Sequence, residues 1–258
     1  MLLECTNLNK SYTTKSGEIR ALSDISFRVN AGEFVCIVGP SGCGKTTLLK
    51  IIAGLLQPTK GQVKFHGGKL NGKHPSAMVF QDHGLFPWMS VLDNVAFGLK
   101  MQGMDRKERE HRSLDFIDRV GLSSFADNYA HELSIGMRQR VGIARAFVAG
   151  APVLLMDEPF GSLDAQTKIV LQVELLKIWK ESRKMVVYVT HDIEEAVLLG
   201  DRILVMTARP AAICADIPVP LARPRVLSSE QETAISEIKW KIWNMLKDDV
   251  RHTMGLDS

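Results

Sequence analysis

Gly39-Pro40-Ser41-Gly42-Cys43-Gly44-Lys45-Thr46-Thr47 fits the pattern G-x-x-x-x-G-K-[ST], a loop that cradles phosphate groups. The motif has physical meaning only between a strand and a helix. Glu33-Phe34-Val35-Cys36-Ile37-Val38 before it reads as a buried strand, and Leu48-Leu49-Lys50-Ile51-Ile52-Ala53 after it as a helix. Glycines let the backbone fold round an anion. Successive N–H groups and the helix N-terminus then point at phosphates. Lys45 is placed to reach β- and γ-phosphates, and the Thr46 hydroxyl to bind Mg²⁺.

The rest of the chain sets bounds on this reading. At 258 residues, with 45% hydrophobic and 24% charged residues, it has the composition of a soluble globular protein of one large or two small domains. A net charge of +3 is too small to argue for a nucleic-acid partner. The longest apolar runs, such as Ala151 to Met156, are strand-length and far below the roughly 20 residues of a membrane span. No basic-then-apolar leader opens the chain, and Cys5, Cys36, Cys43 and Cys214 lack metal-ligand spacing. A cytoplasmic, reducing setting is expected.

Working outward, residues 2 to 38 alternate apolar and polar, with turns at Lys15-Ser16-Gly17 and Asn30-Ala31-Gly32. They predict antiparallel strands leading into the phosphate-loop strand. Strands are expected at Gln62 to Phe65 and Ala77 to Phe80, across a Gly/Lys/Asn-rich turn. From about Val91 to Phe125 the pattern is helical and charged, and Asp105 to Glu110 reads as a solvated helix start. From Ser134 to Met206 helices and strands alternate, which implies a mostly parallel sheet. Arg209 to Arg225 is Pro-rich and reads as extended. Ser228 to about Met254 reads as an amphipathic helix whose Trp240 and Trp243 are expected to pack inward with Ile235, Ile238, Ile242 and Leu246.

Val153-Leu154-Leu155-Met156-Asp157-Glu158 is an apolar strand ending in two carboxylates. Such a strand delivers charge to the C-terminal edge of a sheet, where α/β folds bind ligands. Asp157 is suited to hold Mg²⁺ and Glu158 to act as general base on an attacking water. Ser134 precedes a run of helix formers and reads as an N-cap. It either caps its helix and nothing more, or helps form an anion site with Gly136. Asp164 similarly reads as a cap for the helix from Ala165. The apolar stretch His83-Gly84-Leu85-Phe86-Pro87-Trp88-Met89-Ser90-Val91 reads either as buried core or as a groove wall that receives a partner helix.

Taken together these residues resemble the nucleotide-binding subunits of ABC transporters, over roughly residues 2 to 210. Leu133-Ser134-Ile135-Gly136-Met137-Arg138-Gln139-Arg140 resembles the family's Leu-Ser-Gly-Gly-Gln signature, with Ile135 in place of the first glycine and Met137 in place of the glutamine. Gln81 matches the Q-loop, Asp164 in Ser162-Leu163-Asp164 the D-loop, and His191 in Val189-Thr190-His191-Asp192 the switch histidine. Tyr12 stands where the family stacks an aromatic ring on adenine.

The resemblance implies a fold: a P-loop NTPase cassette of α/β class, with a mostly parallel core sheet, an antiparallel β subdomain and an inserted helical subdomain. Residues 1–225 would form the ATPase domain, with the helical part at about 91–150, and 226–258 a helical tail. The resemblance also implies ATP and Mg²⁺ as cofactors. Tyr12, Gly39 to Thr47, Gln81, Ser134, Gly136 and Asp164 would contact nucleotide. Thr46, Gln81 and Asp157 would serve the metal, and Glu158, His191 and Lys45 would be catalytic. Two copies would sandwich two ATP molecules head to tail, the signature of one closing on the γ-phosphate held by the other. Ile135 is expected to weaken that closure without abolishing it.

Exporters of the family commonly carry a membrane domain in the same chain, and translation or repair relatives carry two cassettes or a long insertion. An importer's separate ATPase subunit is therefore expected, on the cytoplasmic face of the cell membrane. Its partners would be permease subunits, a second copy of itself and, indirectly, an extracytoplasmic solute-binding protein, with no nucleic acid. A soluble non-transport regulator is the alternative. The runs Leu85 to Val95, Asp157 to Thr167, Met206 to Pro210 and Arg223-Pro224-Arg225 resemble the nitrate/sulfonate/taurine importer group.

Overall fold

The computed structural model describes residues 1–15, 17–67, 75–81, 84–225 and 229–253. Ser16 of the first expected turn, residues 68–74 of the Gly/Lys/Asn-rich turn, His83, Ser228 and Met254 lie outside the described residues. The chain divides into two compact units, Met1–Lys69 with Met185–Ser258, and Leu70–Lys184.

In the first unit β1 (Leu2–Thr14) lies between β2 (Gly17–Asn30) and β4 (Lys60–His66), antiparallel to both. Alternation sets the faces: Leu3, Cys5 and Leu8 of β1 and Ile25, Phe27 and Val29 of β2 are buried. Between these strands and the loop comes β3 (Phe34–Val38), every residue of it buried. Burial on both faces is why this strand reads as a continuous apolar run rather than an alternating one. The helix α1 (Lys45–Ile52) follows the loop.

In the second unit β5 (Ser76–Val79) pairs in parallel with β6 (Val153–Asp157), in the register Val79↔Met156. Three helices of this unit pack on one another: α2 (Val91–Met101), α3 (Arg106–Arg119) and α4 (Ile135–Val148). Their starts follow the expected capping chemistry. Ser90 accepts from the Asp93 N–H, Asp105 from the Lys107 N–H and Ser134 from the Met137 N–H. The helix α5 (Ala165–Ser182) starts at Asp164 in the same way and ends at Arg183, which takes a left-handed backbone, φ 46°.

The remaining elements belong to the first unit. They are β7 (Met185–Thr190), α6 (Ile193–Leu199), β8 (Arg202–Met206), β9 (Ile213–Pro218) and α7 (Ser229–Thr253). The strand order is β7-β3-β8-β9, with β3 parallel to both of its neighbours. The last strand gives the extended reading of Arg209 to Arg225 a specific form. The Pro-rich stretch holds β9, antiparallel to β8 through Ile203↔Ile217 and Val205↔Ala215. Of its prolines, Pro210 precedes the strand, Pro218 ends it and Pro220 and Pro224 lie beyond it, so none interrupts the strand.

The tail corrects the sequence reading. Ile235, Ile242 and Leu246 are buried, but Trp240 and Trp243 are 63% and 42% exposed. At 3.6 residues per turn, Trp240 sits about 140° round the helix from Ile235. One apolar stripe cannot hold both.

Candidate functional site

The phosphate loop stands at the C-terminal end of β3. Gly44, the residue before α1, has φ 132°, and a Cβ there would lie 2.9 Å from Leu22 Cδ2. Conformation and close approach both demand glycine at this position. Lys45 is only 4% exposed, and its ammonium donates to the Gly39 and Pro40 carbonyls at 2.9 and 3.0 Å. Ser41 and Gly42 are exposed, and Thr46 and Thr47 open part of their surface at the start of α1. Burial pushes the Cys43 thiol up from its ordinary range, with Lys45 acting against that shift, so Cys43 is a neutral packing group in the loop. Tyr12 is exposed and its hydroxyl lies 3.4 Å from Thr47 Oγ1, which brings an aromatic face to the same loop.

His191 reaches this place through the strand register. β3 and β7 run parallel with Val38 opposite Thr190, so Gly39 and His191 leave adjacent strand ends together. His191 is exposed. The turn that carries it is fixed from below. Thr190 and Tyr188 donate their hydroxyls to the buried Glu195 carboxylate, the Tyr188 bond being 2.8 Å. The Asp192 N–H donates to Thr190 Oγ1 at 3.0 Å. Arg223 and Arg225 hold the far end of α6: Arg225 donates to the Val197 and Gly200 carbonyls and Arg223 to that of Leu199. These cations satisfy carbonyls that a helix C-terminus leaves open. Burial lowers the Arg225 guanidinium to about 10.

In the second unit, Asp157 ends β6 at 3% exposure and Glu158 follows with φ 44°. A left-handed non-glycine residue before a proline is strained by roughly 1–3 kcal/mol, and such strain gathers at functional sites. The Gly161 N–H donates to the Glu158 carbonyl at 3.1 Å, closing a tight turn that aims the Glu158 side chain. Gln81 lies just beyond β5, the strand paired to β6, and is exposed. Ser134, Ile135, Gly136 and Asp164 line one open cleft of about 880 Å³. The starts of α4 and α5 and the end of α3 all open onto it. A Cβ on Gly136 would press the Thr167 methyl at 3.3 Å, so the glycine keeps the backbone of α4 open to the cleft. The Thr167 N–H bond to Asp164 holds that carboxyl below the usual carboxylate range.

Apart from Tyr12 within β1, the nucleotide and metal residues expected from the sequence lie in the β3–α1 loop, just beyond a strand or at a helix start of their own unit. Donors of this kind fit a nucleotide and Mg²⁺. The loop supplies N–H groups and an ammonium, and Mg²⁺ shared with phosphates needs only one or two carboxylates and a hydroxyl. Among the described residues no group of three or more His, Cys, Asp or Glu could form an all-protein metal cage.

Comparison with known proteins agrees with this geometry. The sequence profile of the ABC transporter family matches residues 22–161. The chain belongs to the ABC transporter family. The cassette is 47% identical over 224 residues to the nitrate import ATP-binding protein NrtD of Synechocystis, covering 86% of this chain and 84% of that protein. It is 41% identical over 259 residues to the taurine import ATP-binding protein TauB of Roseobacter denitrificans, covering 98% and 97%. Among solved structures it resembles the dimeric ABC transporter cassette MJ0796, also solved in a post-hydrolysis state bound to ADP and Pi. The TM-score is 0.75 at 33% identity, covering 85% of this chain and all of the other. The cassette is thus an ATPase of the ABC type, as the resemblance implied.

Sequence reasoning missed several residues that shape this site. Glu195 sits under the switch-position turn, and Asn94 carries the segment before α2. Asn94 is 1% exposed; its Oδ1 accepts from the Phe86 N–H at 2.8 Å and its amide donates to the Phe86, Met89 and Ser90 carbonyls. Arg145 of α4 donates to the Gly84 carbonyl at 2.7 Å and stacks over Phe86. A rigid loop results, with Trp88 71% exposed on it, so of the two readings for this stretch the surface one holds for Trp88. Only burial and partners reveal these roles; the residue types alone carry no signal.

Proposed function

We propose that the cassette is the ATP-hydrolysing subunit of a membrane importer for a small anion such as a sulfonate, taurine or nitrate. It works as a homodimer that closes over two ATP molecules. The observation that carries this reading is the exposed, Ser134-capped start of α4, which opens with Gly136 onto a cleft shared with Asp164. That is an anion site built at a helix terminus, and it suits the γ-phosphate of a nucleotide held by another copy. The naming of NrtD and TauB supports the cargo class.

In this reading Tyr12 stacks on adenine and Gly39 to Thr47 cradle the phosphates. Thr46, Gln81 and Asp157 serve Mg²⁺, Glu158 is the general base, and His191 orients water and γ-phosphate. Asp164 communicates across the dimer. Residues 1–225 act as the ATPase domain, with the helices of about 91–150 as its inserted part and 226–258 as a tail. Among the described residues no helix is long and apolar enough to cross a membrane. In the importer the cassette sits at the cytoplasmic face through permease subunits, as the naming of NrtD and TauB supports, with the Phe86–Trp88 surface receiving a permease helix. A solute-binding protein outside supplies the cargo.

Growth tests the cargo class. A strain lacking the cassette is expected to fail on one of taurine, alkanesulfonates as sulfur source, or nitrate as nitrogen source. Sulfate and ammonium rescue it, and so does the intact gene, but not Glu158→Gln. Normal growth on all of these sources would count against the importer of this cargo class.

The departure at Ile135 gives a second test. Its side chain is 45% exposed at the mouth of the cleft, where closure would bring phosphate. Ile135→Gly is expected to strengthen ATP-driven dimerisation about threefold, net of roughly 1 kcal/mol of helix propensity lost. Analytical ultracentrifugation with ATP reads this, and an unchanged association constant would remove the assigned cost.

A further inference from the structure

The connection between β8 and β9, residues 207–212, has no task in the reading above. It is fastened at three places, all within the first unit. Beneath the loop, the Ala211 N–H donates to the Ala21 carbonyl at 3.1 Å and the Ser23 N–H to the Ala211 carbonyl at 2.9 Å. Ala21 is also the residue whose carbonyl a Cβ on Gly44 would meet at 3.2 Å. On the tail side, the Ala208 N–H donates to Asp249 Oδ2 of α7 at 2.8 Å. Over the loop itself, Arg209 Nε donates to the Gly42 carbonyl at 2.6 Å.

That last bond has consequences for an anion site. The Gly42 carbonyl and the Cys43 N–H share one rigid peptide plane, so Arg209 on the carbonyl orients the N–H, whose present partner is the Pro40 carbonyl at a long 3.3 Å. The direction of such N–H groups is what gives a phosphate nest its affinity. Arg209 also brings a permanent positive charge to the exposed rim of the loop, close enough to act on the Cys43 thiol. The guanidinium is in turn placed by a segment whose neighbouring amide is tied to the tail helix.

We propose that Arg209 is a positioning residue for the nucleotide phosphates, and that Asp249 of the C-terminal helix sets its place, so that the tail helix is a stay of the phosphate loop. The proposal rests on the reading of Gly39 to Thr47 as the ATP site. It gives α7 a part in nucleotide affinity although the helix lies far from the loop in sequence.

The test is ATP titration calorimetry and steady-state ATPase kinetics on the full-length chain. Arg209→Ala is expected to raise both Kd and KM for ATP about tenfold, the loss typical of a charge-assisted bond near a surface, with kcat within about twofold. Arg209→Lys, which keeps charge and a donor, is expected to recover most of the affinity. Asp249→Asn is expected to shift Kd about threefold the same way, and to add nothing in an Arg209→Ala background, because it acts through Arg209. Wild-type Kd and KM in Arg209→Ala would overturn the proposal. So would a fall in melting temperature and active fraction with unchanged Kd in Arg209→Ala, which is the mark of a merely structural brace. Full additivity of the two changes would overturn the part assigned to the tail. Lys45→Ala measured alongside separates the parent reading: an unchanged ATP Kd in Lys45→Ala would sink the placing of ATP on this loop, whatever Arg209 does.

Discussion

Glu158→Gln is expected to bind ATP as the wild type does while its hydrolysis rate falls about 10²- to 10³-fold, within the range general-base catalysis supplies. The substitution is close to isosteric. It leaves the left-handed turn at φ 44° and the Gly161 N–H bond to the Glu158 carbonyl in place, because both belong to the backbone. What it removes is the ability to take a proton from water. Hydrolysis that stops while binding continues should also hold the proposed dimer closed, so the variant with ATP and Mg²⁺ should elute as a dimer in size-exclusion chromatography. A normal rate would mean that another residue is the base. A slow rate without a dimer would leave the base assigned and count against the sandwich.

Lys45→Ala should act earlier, on binding. Its ammonium is buried and sits on the Gly39 and Pro40 carbonyls, inside the loop that must receive the phosphates. Losing charge-assisted bonds to phosphate costs about 1.5–3 kcal/mol, roughly 10- to 100-fold in affinity. A fluorescent ATP analogue reads this directly. The fold should survive, since β3 and the Leu48, Leu49 and Ile52 contacts of α1 do not depend on the ammonium. An unchanged Kd would remove Lys45 from the phosphate site.

The two variants separate steps that a growth defect merges. Glu158→Gln stops the cycle after binding and Lys45→Ala before it. Arg209→Ala should tune affinity without stopping either step. A tail helix that acts on the phosphate loop would also offer a place for a partner to adjust ATP affinity, since α7 carries Trp240 and Trp243 on its exposed side.

Much of the site was legible because its chemistry is local. A phosphate loop, an Asp-Glu strand end and a Ser-capped helix start are each written in fewer than about ten consecutive residues, and their geometry follows from backbone rules at short range. The helix starts at Ser90, Asp105, Ser134, Asp164 and Asp192 all carry the side-chain caps their residue types allow. The stretch that holds β9 was legible as extended, but its pairing was not, because an edge strand flanked by prolines is defined only with β8 beside it. The facing of Trp240 and Trp243 was misread because apolar residues on more than one side of a helix leave the buried side undecided until a neighbour is in place.

By itself the sequence determined the order of the motifs, the α/β class and the ATP-binding family, since each motif depends on neighbours a few positions away. Tertiary structure alone decided which distant groups hold those motifs in position. Arg209 meets Gly42 across 167 residues, Asp249 meets Ala208 across 41, and Arg145 meets Gly84 across 61. Contacts at such separations leave no periodicity and no spacing in the chain. They exist only once the sheet has brought its strand ends together.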